Sequence, residues 1–454
     1  MILTRDKSFY KTYFSLLFYI AFQNLLSFGV SLLDNVMLSN YSMTALNGAS
    51  IANQIQFLLQ MIVTSAGEGV VVLAAQYWGA KKTKPIYDAF SIGNIVALAF
   101  GLLFFVLIGI MPRGILSLLV GDEAIISEGA AYLSIIKYTY PVYCLSTVML
   151  ATQRSVENAR VGFIAMFVSM IVNAFFNYGM IYGKMGFTEM GIRGAAYATL
   201  ISRCVELVIA YVYAYKFDKK LRIRPCHFLS YNKALWKDYA KYATPVILGG
   251  ASWGLAMFIQ TSIIGHMNSD AIAANTLAAN LFSVISVFAY GGGNSAGVIT
   301  GKIVGAGDTG KLKEYVRTMQ VLFLLTGLVT GGLIFALRSP VIALFGLETE
   351  GARAYARQFI AVLSITSIGS AYQAPCLTGI VRGGGRTNFV FYNDLIFQWG
   401  IVILFSLLAA YVWHLAPVWV FFILKSDQLL KCGVAVVEVN SYKWVRKLTN
   451  KAAE

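Results

Sequence analysis

Long apolar runs separated by short polar breaks dominate this chain of 454 residues. A stretch of about 20 apolar residues is enough to cross a bilayer as a helix. Such runs occur at 13–37, 51–77, 89–110, 131–152, 161–182 and 191–214, and resume at 242–264, 276–300, 316–337, 356–380, 389–412 and 416–437. The pattern predicts an all-α polytopic membrane protein with twelve transmembrane helices. The last run is the least regular, because Lys425, Asp427 and Lys431 interrupt it. One extended polar connector, Lys216 to Lys241, separates the first six runs from the second six. It sets the expected organisation: an amino-terminal six-helix lobe over 1–215, a basic cytoplasmic connector over 216–241, and a carboxy-terminal six-helix lobe with a cytoplasmic tail over 242–454.

The two halves are related. Shifting the chain by 226 residues without a gap lays Ala45 on Ala271, Gly67 on Gly293, Gly79-Ala80 on Gly305-Ala306, Thr83 on Thr309, Gly101 on Gly327 and Arg160 on Arg386. Self-similarity at a fixed period is a fold-level signal. With an even number of spans in each half, the second repeat begins on the same side as the first, so the six-helix bundles form a parallel repeat. Two repeats in a membrane chain suggest a transport path between them. Small residues crowd the spans at Gly249-Gly250-Ala251-Ser252, Gly291-Gly292-Gly293 and Gly331-Gly332, which suits either close helix packing or local hinges.

Composition agrees with a bilayer as solvent. The chain is 58% hydrophobic and 13% charged, with a mean hydropathy of +0.67, against about 25% charged in soluble domains. A net charge of +15 would suggest nucleic acid in a soluble protein. Here the basic residues sort into alternate loops: Lys81, Lys82 and Lys84; Arg154 and Arg160; Lys216 to Lys241; Lys311, Lys313 and Arg317; Arg382 and Arg386; and the tail from Lys443 to Lys451. That asymmetry follows the positive-inside rule and puts both termini in the cytoplasm of a multi-pass inner (plasma) membrane protein. The basic start, Arg5, Lys7 and Lys11, precedes an apolar run too long for a signal core and reads as a retained first helix. Cys144, Cys204, Cys226, Cys376 and Cys432 and the three histidines show no metal-ligand or redox spacing.

Charge inside a bilayer is costly, so an intramembrane carboxylate is a functional candidate. Asp34 lies late in the first span with no basic residue within helical reach. Glu68 sits between Gly67 and Gly69 in the second. Glu206 has Arg203 three residues before it on the same helix face, the spacing of a structural ion pair. Asp394 opens the eleventh span, where hydration or pairing with Arg382 or Arg386 competes with a functional role. Asp34, in the outer half of an outward-running helix, shares its level with Asn173 and Asn177, which are four apart on the fifth span, and with Thr199 on the sixth. Together these four form an all-oxygen set suited to a hard monovalent cation, or to a protonatable carboxylate with hydrogen-bonding neighbours. The other reading of the same residues is polar packing between helices.

The chain resembles the multidrug and toxic compound extrusion (MATE) family almost end to end. The resemblance is carried by Asp34-Asn35-Val36-Met37, Thr44-Ala45-Leu46, Ala75-Gln76-Tyr77-Trp78-Gly79-Ala80, Val172 to Asn177, Gly194 to Thr199, Arg382 to Thr387 and Lys443-Trp444. It implies two six-helix bundles and efflux of drugs or metabolites in exchange for Na+ or H+. It also implies a cation-coupling site at Asp34, Asn173, Asn177 and Thr199, with Glu68 and Asp394 as secondary candidates. The pattern is departed from at Asn177, where some branches have a second acid, at Gly249-Gly250, near where others carry an acid, and at Arg386, where an Asp often follows the glycines.

The expected function is therefore a secondary antiporter for organic, preferentially cationic, small molecules. It needs no cofactor beyond the coupling ion, acts as a monomer in the lipid bilayer and has no nucleic-acid partner. Aromatic residues, 14% of the chain, offer cation–π contacts but also fill membrane helices generally. A flippase for lipid-linked oligosaccharide or peptidoglycan precursors is the alternative; it calls for a basic cavity, whereas most basic residues here fall in loops. An intramembrane enzyme would need a zinc motif or a paired nucleophile and base, and neither is visible. A passive channel would need no coupling carboxylate. Under the repeat shift Asp34 falls on Gln260, Glu68 on Asn294 and Asn173 on Trp399, which places the coupling chemistry in the first half.

Overall fold

A computed structural model describes residues 3–230, 232–347 and 349–449; Lys451, the end of the expected basic tail, lies outside them. The described residues contain helices and no β-strand. In the first half these are α1 (Lys7–Tyr41), α2 (Met43–Gly79), α3 (Lys84–Ile110), α4 (Pro112–Ser117), α5 (Glu123–Ile136), α6 (Thr139–Ser155), α7 (Arg160–Tyr182) and α8 (Ile192–Val212), the last continued by a π-turn. The second half holds α9 (Lys233–Gly265), α10 (Ser269–Ala306), α11 (Thr309–Phe345), α12 (Glu350–Ala374), α13 (Thr387–Leu395), α14 (Leu404–Leu407), α15 (Pro417–Lys425) and α16 (Asp427–Ser441).

Among the described residues, ten helical segments are long and apolar enough to cross a membrane. The other two expected spans are each divided. The fourth is made of α5 and α6, and Pro141 supplies the reason: it has no N–H to give to the Lys137 carbonyl four residues back. Tyr140 N bonds that carbonyl instead, at 3.1 Å, tightening the turn. The twelfth is α15 followed by α16, and the joint at Ser426 falls among the charged residues that break its apolar run. Twelve spans result, in two sets of six.

Helix boundaries obey the repeat more closely than residue identities do. A displacement of 226 residues carries Lys7 onto Lys233 and Met43 onto Ser269, the starts of α1 and α9 and of α2 and α10. The same shift brings the starts of α3, α5, α7 and α8 within one residue of those of α11, α12, α13 and α15. Equal spacing of six helix starts is what two copies of one six-helix unit require.

Two compact units are distinguishable. The first comprises Phe22–Ala74 and Thr83–Ile247; the second comprises Met1–Ala21, Ala75–Lys82 and Leu248–Glu454. In the first unit glycines let helices approach closely: a Cβ on Gly93 would lie 2.3 Å from Val70 and one on Gly101 2.5 Å from Cys144 Sγ. In the second, an apolar core of Ile263, Leu277, Ile334, Val402 and Leu424 surrounds the stacked rings of Phe359 and Phe421, 4.2 Å apart. Of the small-residue clusters, Gly291, Gly292 and Gly331 serve packing, since a Cβ there would meet Leu17 O at 3.1 Å, Tyr13 OH at 3.0 Å and Ser364 O at 2.5 Å. Gly332 faces open space.

The ends of α2 and α10 cross in the second unit. A Cβ on Gly79 would fall 1.8 Å from Lys302 O, and one on Gly305 would fall 1.9 Å from Gln76 O. Beside this crossing the chain after Ser441 folds back. Trp444 is fully buried, and its indole donates to Val439 O at 2.9 Å. Gln76 donates to the carbonyls of Gly383 and Arg446 and accepts from Leu448 N. Arg446 N donates to Gly384 O at 2.9 Å, and Gly385 holds the left-handed φ of +97° that the turn needs. The three sequence blocks around Gln76, Gly383 and Trp444 are thus one packing unit.

Candidate functional site

In the first unit, α1 and α7 bring Asp34, Asn173 and Asn177 together, and Thr199 on α8 connects to them through Tyr132. On α7, Asn173 and Asn177 lie one turn apart, so their amides point the same way; both are fully buried. Asn177 Nδ2 donates to the Asp34 carboxylate from α1 and to Asn173 Oδ1 at 3.0 Å. Asp34 is only partly covered, whereas Thr199 on α8 is 9% exposed. Among the described residues, Asn173 Nδ2, Asn177 Oδ1 and Thr199 Oγ1 are buried without a geometrically sound hydrogen bond. Each such orphan costs about 1–3 kcal/mol; two of them, Asn173 Nδ2 and Asn177 Oδ1, belong to the amides around the Asp34 carboxylate, and Thr199 Oγ1 lies next to Tyr132. Asn177 Oδ1 and Thr199 Oγ1 are oxygens, and an amide oxygen beside a carboxylate is ligand chemistry suited to a hard cation.

Two further residues join the set. Tyr132 from α5, itself buried, lies beside Thr199 and within electrostatic reach of Asp34. Arg203, one turn beyond Thr199 on α8, acts on Asp34 through its charge. Its guanidinium also pairs with Glu206 at 2.6 Å and sits 5.4 Å from the Tyr143 ring centroid. Tyr143 in turn shares a hydrogen bond with Thr64 at 3.2 Å. Asp34 has no basic residue near it along α1, but the fold supplies one from α8. The only sequence signal for Arg203 was its spacing four residues after Thr199.

The secondary candidates are members of ion pairs. Glu68 on α2 pairs with Arg154 at the end of α6. Asp394 on α13 pairs with Lys431 Nζ at 2.9 Å, and the same ammonium takes Asp427 at 3.2 Å. Arg386, one of the partners the sequence offered to Asp394, is held by Glu438 instead. Lys431 and Asp427 are each 5% exposed at the side chain while Asp394 is 40% exposed, so the pair is buried at its basic end. Among the described residues no group of three or more His, Cys, Asp or Glu is arranged to hold a metal ion.

Comparison with known proteins bears on the same residues. The family model described as MatE matches twice, over 20–179 and 245–398, once in each repeat. A curated relative from Thermotoga maritima, named "Probable multidrug resistance protein NorM", is 26% identical over 338 residues, which are 72% of this chain and 70% of that protein. Among solved structures, a crystal structure of MATE in complex with MaL6 superposes with a TM-score of 0.86 at 16% identity, covering 95% of both chains. A MOP superfamily transporter from Pyrococcus furiosus gives a TM-score of 0.86 at 16% identity, over 97% of this chain and 98% of that one.

Proposed function

Because the chain belongs to the MatE family, we propose that it is a secondary active antiporter that exports organic, preferentially cationic, drugs or metabolites in exchange for Na+ or H+. The observation that carries this reading is the Asp34 carboxylate held by Asn177 beside Asn173, with the buried Asn173 Nδ2, Asn177 Oδ1 and, nearer Tyr132, Thr199 Oγ1 left without a hydrogen bond of good geometry. The multidrug resistance named for the curated relative supports the substrate class.

Asp34 is the coupling group. A bound proton or Na+ neutralises its charge, and the cost of keeping the bare carboxylate away from water gives the ion a differential affinity for the two access states. Only such a difference lets one ligand drive another. Asn177 orients the carboxylate by donating to it. With Na+, Thr199 Oγ1 and Asn177 Oδ1 would replace hydration; with H+, the same oxygens would accept the acid's hydrogen bond. Arg203 limits how negative the site can become when the ion leaves. The lobes at 1–215 and 242–454 then exchange inward-open and outward-open access, with both termini in the cytoplasm and one chain as the working unit.

The test uses protein reconstituted into vesicles with a fluorescent organic cation. Asp34→Asn is expected to insert and fold normally and to lose ion-driven efflux. Uphill transport that persists with unchanged ion dependence overturns the role of Asp34. A sodium jump at fixed pH, set against a proton jump at fixed sodium, identifies the ion. If neither gradient drives efflux while a lipid-linked sugar crosses the bilayer, the protein is a flippase.

A further inference from the structure

The second repeat holds a polar pair at the position of the first repeat's site, with its charge reversed. The displacement of 226 residues that relates the helices carries Asp34 onto Gln260 and Thr199 onto Lys425. The acid has become a neutral amide and the hydroxyl an ammonium. These two are in contact in the second unit: Lys425 Nζ donates to Gln260 Oε1 at 3.3 Å. Asn173 is replaced by Trp399, which lies in a π-turn over Ile396–Ile403, and its indole is bound to Ser252 Oγ at 2.7 Å. A π-turn within a helix is a frequent mark of a functional position.

Lys425 is an expensive residue where it stands. It ends the apolar stretch Pro-Val-Trp-Val-Phe-Phe-Ile-Leu-Lys of α15, about 12 Å along the helix from Pro417, and α16 carries the segment fifteen residues further. An ammonium at that depth needs a partner or a task. Its neighbours supply little compensation. The Phe421 ring lies 5.9 Å from Nζ to centroid and Gln260 is neutral. Asp427 acts on Lys425 at longer range, but its carboxylate is bonded to Lys431 at 3.2 Å and to Gln428 Nε2 at 3.1 Å. Asp394 is likewise taken by Lys431. Among the described residues both acids of this region are thus paired with Lys431, and Lys425 forms no ion pair with a carboxylate. Gln260, 7% exposed, fixes the direction of the ammonium.

We infer that Lys425, positioned by Gln260, forms an anion-binding subsite in the second repeat that receives a carboxylate, or an equivalent oxyanion, of the exported molecule. The first repeat then holds the coupling ion and the second an oxyanion of the cargo, so among organic cations those that also carry a carboxylate are preferred. This inference rests on the antiport reading for its cargo, but the subsite itself is measurable as binding.

The experiment compares a cationic rhodamine ester with the free acid of the same dye, which adds one carboxylate. Fluorescence polarisation on the detergent-purified protein gives both affinities, and vesicle efflux gives transport. An ammonium–carboxylate bond of ordinary strength corresponds to about a ten-fold or larger affinity ratio. Lys425→Gln is expected to lower the acid-to-ester affinity ratio by about that factor, and Lys425→Arg to restore most of it. Should Lys425→Gln fail to fold, Gln260→Glu neutralises the same ammonium in place and is expected to lower the ratio as well. A ratio unchanged from the wild-type value in a folded variant of either kind overturns the inference. Displacement of the acid by phosphatidylglycerol vesicles but no efflux of it would assign the subsite to a lipid headgroup and also overturn the cargo assignment. If the wild type transports neither dye, the antiport reading fails separately, and the binding ratio still decides the subsite.

Discussion

Asn177 is the pivot of the proposed first-repeat site, because one amide nitrogen serves both Asp34 and Asn173. Asn177→Ala removes a hydrogen bond to a charged group, worth about 1.5–3 kcal/mol. Ion-driven efflux is expected to fall ten-fold or more, while the helical circular-dichroism signal is retained; full activity would show that Asp34 does not depend on this donor. The sequence made Asp34, Asn173 and Asn177 legible, since a charge in an apolar run and a four-residue spacing need no tertiary knowledge. Arg203 and Tyr132 were not legible as neighbours of Asp34, because they come from α8 and α5 and their approach depends on helix rotation, which an apolar pattern on nearly all faces does not encode. For the same reason the partner of Asp394 was expected among Arg382 and Arg386, one loop away in sequence. Lys431 reaches it from α16, the helix whose charges made its own boundaries hardest to read.

Between helices, glycines permit several of the closest approaches, and substitutions there sort by what a new Cβ meets. Gly79→Val drives atoms into the Lys302 backbone, which cannot move as a side-chain tip can. Overpacking of this kind costs about 1–3 kcal/mol and is expected to lower the thermal midpoint in detergent. Gly332→Ala meets open space inside α11 and is expected to raise it, by the roughly 0.5–1 kcal/mol that alanine gains over glycine in a helix. If both glycine changes shift the midpoint equally, the crossing is not the constraint described. The apolar runs marked all twelve spans, yet their internal breaks were hidden. Hydropathy averages across Pro141 and Ser426, while backbone hydrogen bonding does not.

For the molecule as a whole, the chain after Ser441 is structural. Removing Trp444, which is buried against Gly384, has the cost of a large core deletion, about 3–5 kcal/mol. Trp444→Ala is therefore expected to reduce the yield of monodisperse protein and its thermal midpoint, and normal behaviour in size-exclusion chromatography and heating would refute this. The repeat was visible as a register of small residues, but their purpose was not. The α2–α10 crossing supplies it. Gly79 packs on the backbone of Lys302 and Gly305 on that of Gln76, and the shift that equates Gly79 with Gly305 also equates Gln76 with Lys302. Residue i meets j while the counterpart of i meets the counterpart of j, which is the rule of an isologous interface between two identical subunits. Here that interface lies inside one polypeptide, so Gly79→Val and Gly305→Val are two halves of one symmetric lesion, and each glycine is held by the backbone that its twin's helix presents.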